Sequence, residues 1–278
     1  MFEDISKVVL ISDMDGTLLN SQKKIYDTDR SAIEKFMKLG GKFTIATGRT
    51  IQSFEQYYDM LDLRMPLIMY NGAAIYDWQK SELLYTCPLP DESRRIALEI
   101  LEAMPHIGGE ILRTDGTYVF RNNDYQALHT KICGIDPHYM ELTKIPDGGW
   151  LKVLFAMAPE DISQIEILVK QKGYDSVTFV KSSEIFYEML PLGITKGTAL
   201  NEYRKLDGMS GYTFAAAGDF DNDTDMLKKA DLGAAPANAE EVVKQSADLV
   251  LKNSCDTGAI AELVEYIIAQ CESKTNAE

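Results

Sequence analysis

The chain has 278 residues, 45% of them apolar and 26% charged, which suits a globular protein of one large domain or two moderate ones. Acidic residues outnumber basic ones 43 to 28, for a formal net charge of −15; that surface repels nucleic acid and anionic membrane, so neither is expected as a partner. No apolar run approaches the ~18–20 residues that cross a bilayer, and the acidic start MFEDISK reads as the approach to a first strand and not as a signal peptide, so a cytoplasmic location is expected.

The first seventy residues alternate strand and helix patterns. Lys7–Ser12 is a β-branched apolar run suited to a strand buried on both faces. Asp27–Leu39 has helical spacing at Ala32, Ile33, Phe36, Met37 and Leu39, and stops at Gly40 and Gly41. A strand is expected at Lys42–Ala46, a helix at Ile51–Leu61 and a short strand at Leu67–Tyr70. This alternation implies a parallel sheet with helices on both faces.

The middle of the chain differs. Thr114-Asp115-Gly116 between Ile111–Arg113 and Thr117–Arg121 signals a hairpin. Trp150–Met157, Ser176–Val180 and Ile185–Met189 read as strands and Glu160–Gln171 as a helix. A second domain is therefore expected over residues 85–190, with 1–84 and 191–278 forming the first. Pro88, Pro90 and Pro191 near the crossings suit stiff connectors. Beyond it, Thr198–Lys205, Asp223–Ala230 and Gly258–Cys271 read as helices, and Thr213–Ala217, Asp231–Ala235 and Asp248–Leu251 as strands. Cys87, Cys133, Cys255 and Cys271 form no CxxC pair, and His106, His129 and His138 show no metal-ligand spacing.

Two acidic clusters follow strands. In Asp13-Met14-Asp15-Gly16-Thr17, positions i and i+2 put both carboxylates on one side at the carboxyl end of a strand, where open α/β sheets bind ligands. Two such carboxylates call for a cation or a shared proton, although Asp-Gly also makes plain turns. In Gly218-Asp219-Phe220-Asp221-Asn222-Asp223, three carboxylates in five residues suit Mg²⁺, while Asn222 or Asp223 equally suits a helix cap. A calcium loop fits less well, because the twelfth position counted from Asp219 is Ala230 and not Glu. Thr47-Gly48-Arg49 offers a hydroxyl and free N–H groups to phosphate oxygens, and Gly193-Ile194-Thr195-Lys196-Gly197 offers a compact positive charge. Each of these two alone is an ordinary turn; together the four supply what phosphoryl transfer through an aspartyl-phosphate needs.

The ordered set Asp13–Thr17, Thr47 in ATGR, Lys196 in GITKG and Asp219–Asp223 resembles the haloacid dehalogenase superfamily and, within it, the Cof-like phosphatases. Asn71-Gly72-Ala73 before a strand is similar to that branch as well. The resemblance spans nearly the whole chain. It implies a Rossmann-like core with an inserted α/β cap between the second and third motifs, and Mg²⁺-dependent hydrolysis of a small phosphorylated metabolite, such as a sugar phosphate or a phosphorylated cofactor.

It further implies that Asp13 attacks phosphorus and ligates Mg²⁺, and that Asp15 is the acid–base with its carbonyl on the metal. Thr47 and Lys196 would hold the phosphoryl oxygens. Asp219 would bind Mg²⁺ directly, and Asp223 directly or through water. Met14, Gly16, Thr17, Gly48, Arg49, Asn71, Gly72 and Asn222 would line the phosphate and substrate. Asp15 matches the phosphatases and not the dehalogenases. Phe220 stands where the family often has Gly or a polar residue, and Gly233–Ala239 (GAAPANA) replaces the usual GVAMGNA while keeping Asn238. Tyr118, Tyr125 and Tyr187 are candidates for substrate selection from the cap. Phosphotransfer or phosphomutase activity, or a binding role without turnover, are the alternatives. The oligomeric state is not legible.

Overall fold

The computed structural model describes residues 2–275. The chain divides into two compact units: Met1–Gly48 with Tyr58–Tyr85 and Thr195–Glu278, and Arg49–Tyr57 with Thr86–Ile194. The second is thus wider than the segment 85–190, because residues 49–57, which lead the helix after the ATGR motif, group with it.

The first unit is built on a five-stranded parallel sheet. Its strands are β1 (Val8–Ser12), β2 (Lys42–Ile45), β12 (Thr213–Ala217), β13 (Leu232–Ala235) and β14 (Leu249–Val250), ordered β14-β13-β12-β1-β2. All five residues of β1 are buried, as its unbroken apolar run requires of a central strand covered on both faces. Val9 and Ile11 point to α6 (Lys196–Tyr203) and α7 (Thr224–Lys229), with Leu200, Tyr203, Met226 and Leu227. The opposite face is available to α1 (Asp27–Lys38) and α9 (Ala259–Thr275), which pack on each other. The short helix α8 (Glu241–Lys244) lies between β13 and β14 in the chain.

One part of the parallel-sheet expectation changes. β3 (Leu67–Met69) touches β2's continuation only through the single parallel bridge Ala46–Ile68, and forms instead a three-stranded sheet with β4 (Ala74–Asp77) and β5 (Glu82–Thr86). β3 and β4 are antiparallel. The reversal is made within the four residues 70–73: Tyr70 and Asn71 both take left-handed φ values, 53° and 56°, which only a few per cent of non-glycine residues adopt.

The second unit holds α2 (Ile51–Tyr58), α3 (Ser93–Ala103), β6 (Gly108–Arg113), β7 (Gly116–Arg121), α4 (Asp124–Cys133), β8 (His138–Tyr139), β9 (Trp150–Ala156), α5 (Pro159–Lys172), β10 (Val177–Lys181) and β11 (Phe186–Pro191). Its six strands run β10-β11-β9-β6-β7-β8. The Thr114-Asp115 hairpin forms as its sequence indicates, with Arg113 paired to Gly116. Ile96, Ile100, Ile162 and Ile165 from α3 and α5 bury against Ile111, Val153, Phe155 and Met189.

Two expectations fail in this unit. Pro191 is the last residue of β11, paired with Val177, and not a free connector. Tyr187 is core: it is buried and stacks on Phe179 with centroids 5.8 Å apart, so it has no surface to offer a substrate. Tyr118 is half-buried beside His138 and packs against the same core. Tyr125 sits half-buried in the first turn of α4.

Candidate active site

The parallel register brings the motif residues to one edge of the first unit. Asp13 extends β1 by one residue, its N–H donating to Ala217 O at 2.8 Å, and Gly218 N–H extends β12 onto Ala234 O. Thr47 follows β2, its N–H on Ile68 O at 2.9 Å. All lie at carboxyl ends of parallel strands, where the side chains are free of the ladder and the connections open a crevice.

Lys196 is delivered by a helix start and not by a loop. α6 begins at Lys196 itself, with Thr195 as N-cap in a reciprocal capping box with Thr198. Thr195 Oγ1 also hydrogen-bonds Asp225, which Lys229 holds at 2.8 Å, so the cap is fixed to α7. Lys196 is thereby buried to 1% exposure, with Nζ 2.5 Å from Asp13 Oδ1 and 2.7 Å from Asp223 Oδ1. Asp223 Oδ2 accepts the N–H groups of Asp219 at 3.0 Å and Phe220 at 3.1 Å. Phe220 thus serves through its backbone, so its departure from the family pattern leaves the carboxylates undisturbed.

Asp219 Oδ1 accepts the Thr17 hydroxyl at 2.7 Å. Gly16, at φ +92°, lies so close that a Cβ there would sit 2.4 Å from Asp219 Oδ2. Only glycine meets both demands of that turn.

Asp13, Asp219 and Asp223 bring oxygen atoms within 4.8 Å of one another, the one such metal-competent group among the described residues. Lys196 balances one of three charges. Burial drives the Asp13 carboxyl well above the usual range; Lys196 opposes this, while Asp223 and Asp219 add to it. Burial, and then Asp223, push Asp219 up to about 6 against the Thr17 hydrogen bond. Burial would lower the Lys196 ammonium, but Asp13 and Asp223 outweigh it and hold it firmly protonated. A cluster this short of positive charge, made of hard oxygen donors at strand ends, fits a divalent cation.

The remaining predicted residues fall into two groups. Asn71 N–H donates to Thr47 O at 3.1 Å, and Asn222 Nδ2 donates to Asn71 Oδ1 at 3.2 Å, linking the second and fourth motifs. Gly72 packs against the Thr195 carbonyl, where a Cβ would come within 2.2 Å; it seats α6 and offers no group of its own. The Met14 side chain is buried. Gly48 belongs to the first unit; Arg49 groups with the second, its guanidinium 4.5 Å over the Tyr57 ring. The three histidines join no metal-competent group among the described residues.

Sequence reasoning missed two polar residues here, Lys23 and Asp225, and gave a third, Asn238, no role. Lys23 Nζ lies 2.8 Å from Asp15 Oδ1. Its backbone is left-handed, φ 58°, in a turn organised by Asn20, whose Oδ1 accepts the N–H groups of Gln22 and Lys24. Asp225 holds the N-cap of α6, and Asn238 reaches Gly16. Asn-x-x-Lys is a visible turn signal, but nothing local says which carboxylate the lysine meets.

A family model described as haloacid dehalogenase-like hydrolase matches residues 10–264. The chain is 27% identical over 267 residues to the 5-amino-6-(5-phospho-D-ribitylamino)uracil phosphatase YcsE of Bacillus subtilis, covering 96% of this chain and 98% of that protein. It is 25% identical over 273 residues to the pyridoxal phosphate phosphatase YbhA of Escherichia coli, covering 92% and 97%. Among solved structures, a haloacid dehalogenase-like hydrolase from Bacteroides thetaiotaomicron superposes with a TM-score of 0.79 at 24% identity, over 96% of this chain and all of that one. A HAD subclass IIB sugar phosphatase superposes at 0.78 with 20% identity, over 93% and 98%.

Proposed function

The chain belongs to the haloacid dehalogenase-like hydrolases and is a phosphoric monoester hydrolase of that family; from this we propose that it cleaves small phosphorylated metabolites through an aspartyl-phosphate on Asp13, with Mg²⁺ as cofactor. The observation that supports this most is Lys196, buried between Asp13 and Asp223 in a three-carboxylate cluster.

In this reading Asp13 attacks phosphorus, an Asp13–phosphorus bond forms, and the bond to the leaving oxygen breaks. Asp15 gives that oxygen a proton. Asp15 then takes a proton from water, the water oxygen attacks phosphorus, and the Asp13–phosphorus bond breaks to release inorganic phosphate. Lys196, the Thr47 hydroxyl and the Asn222 amide stabilise the charge on the transferring oxygens.

Asp13 and Asp219 would hold the Mg²⁺ directly, along with the Asp15 carbonyl. Asp223, with one oxygen on Lys196 and the other on two backbone N–H groups, would act through water. The cation's contribution is charge neutralisation that lets a carboxylate approach a phosphate.

The relatives named for a ribitylaminouracil phosphate and for pyridoxal phosphate point to a phosphorylated cofactor or its precursor as the substrate class. The test is release of inorganic phosphate from p-nitrophenyl phosphate in Mg²⁺. Asp13→Asn should lower it by ~10³-fold or more; a variant retaining a tenth of wild-type activity would refute the nucleophile.

A further inference from the structure

The segment between β13 and α8 carries a side chain that this chemistry does not use. Asn238 Nδ2 donates to the Gly16 carbonyl at 2.8 Å, and its Oδ1 accepts the Cys255 N–H at 2.9 Å. One amide therefore ties the turn after Asp15 to the segment before α9. Both anchors are themselves held. Ala237 N–H donates to Asn253 O and Glu240 N–H to Asp219 O, each at 2.9 Å. Asp256 accepts the Ser21 N–H at 2.9 Å and its hydroxyl at 2.8 Å.

The backbone around Asp15 shows why such a tie matters. On its N-terminal side, Asp13 is fixed by the β1–β12 ladder. On its C-terminal side stands Gly16, at φ +92° and with no side chain, so its peptide plane can be fixed only from outside. Gly16 N–H donates to Leu19 O at 3.1 Å, and the carbonyl is the group Asn238 takes. The Asp15 side chain is about one-third exposed and paired with the exposed Lys23.

We propose that Asn238 is a positioning residue for Asp15: its hold on the Gly16 carbonyl fixes the backbone from which the Asp15 carboxyl reaches the leaving-group oxygen. This rests on the acid–base role given to Asp15 above. A misplacement of the order of 1 Å in a reacting group costs up to ~10²-fold in rate. The loss falls on the step in which the leaving oxygen needs a proton, and it grows with the basicity of that oxygen.

The experiment compares phenyl phosphate with p-nitrophenyl phosphate, two aryl esters of similar size whose leaving oxygens differ strongly in basicity. The measured quantity is kcat/KM in Mg²⁺, which reports the steps up to leaving-group expulsion. Asn238→Asp is the sharpest variant: it keeps the acceptor for Cys255 N–H and turns an oxygen toward the Gly16 carbonyl. It should lower kcat/KM for phenyl phosphate by about tenfold and for p-nitrophenyl phosphate by about twofold or less. Equal losses on the two esters, or no loss, would overturn the proposal. Should Asn238→Asp fail to fold, Asn238→Ala is read by the same ratio. Asp15→Asn separates the two readings. If it shows the leaving-group bias and Asn238→Asp does not, only the positioning role falls; if it shows none, the acid–base reading of Asp15 falls first.

Discussion

Lys196→Met removes the one ammonium buried among Asp13, Asp219 and Asp223 while retaining an unbranched stem that fills the same volume. Lys196 is 1% exposed, and the side chains it pairs with, Asp13 and Asp223, are 9% and 0% exposed, so water offers little screening. Taking one partner from a buried ion pair costs about 3–5 kcal/mol. Uptake of a proton by Asp13 or Asp219, both already displaced upward, relieves part of this, which places the net loss near ~3 kcal/mol. At ~2–4 °C per kcal/mol for a protein of this size, the thermal midpoint in chelator at pH 7.5 should fall by roughly 6–12 °C. A divalent cation supplies the missing charge, and a ligand at a hundredfold excess over its Kd stabilises by about 2.7 kcal/mol. Saturating Mg²⁺ should therefore raise the midpoint of the variant more than that of the wild type. Scanning calorimetry of both proteins, with and without Mg²⁺, reads both effects and needs no turnover. A variant within 2 °C of wild type in chelator, or one gaining less from Mg²⁺ than the wild type does, would mean that the cluster is not held by charge balance as described.

Two predictions concern titrating groups that the proposed chemistry does not use. Asp29 receives the Ala261 N–H on Oδ1 at 2.7 Å, yet burial outweighs this and pushes its carboxyl up to about 6. A folded pKa above the unfolded value means stability that is full below ~4 and lost as pH rises through ~6. Asp29→Asn keeps the Oδ1 acceptor without the charge, so its unfolding free energy should overtake that of wild type across that window, by about 1–3 kcal/mol at pH 7.5, read from denaturant titrations at a series of pH values; a difference that does not vary with pH would refute this. In the second unit, His129 Nδ1 lies 2.7 Å from Glu110 Oε1. Burial alone would lower the imidazole, but Glu110 and then Cys133 hold it at about 10. Stability from this pair is therefore present below ~6.5 and lost as pH rises through ~10. Glu110→Gln should bring the His129 titration, followed by imidazole NMR, below the ordinary histidine value of ~6.5; an unchanged titration would show that the carboxylate is not its cause.

The legible parts of this protein are those whose signal is local. The central strands announce themselves as short apolar runs, and Asp13, Asp15, Asp219 and Asp223 stand directly after two of them. What was obscure depends on partners distant in the chain. The antiparallel turn from β3 to β4 is set by left-handed backbone at Tyr70 and Asn71, which no composition rule places there. α4 buries only Gln126 and Cys133 among its ten residues, so it shows no apolar stripe. α3 does show one, at Ile96, Ala97, Ile100 and Leu101, and was within reach of periodicity. The first turn of α6 was likewise readable from Thr195 and Thr198. The pairing Lys23–Asp15 depends on how the single connection from β1 to α1 folds back on itself, and Asn238–Gly16 exists only once separate loops meet.

The order in which the sheet is strung has a consequence for how the protein is made. β1 is an interior strand of the parallel sheet with β2 on one side and β12 on the other, and Val8 pairs with Thr213. About two hundred residues must leave the ribosome between one partner and the next, and at ~5–20 residues per second that is roughly ten to forty seconds. Through that interval β1 has an open flank lined by Val9, Leu10 and Ile11, the kind of strand that joins foreign edges. The whole second unit is synthesised meanwhile and can fold on its own contacts. The first unit, and with it any phosphate chemistry, comes into being only when β12 closes the gap, so a truncated chain ending before residue 213 should be a folding hazard to the cell and never a partly active enzyme.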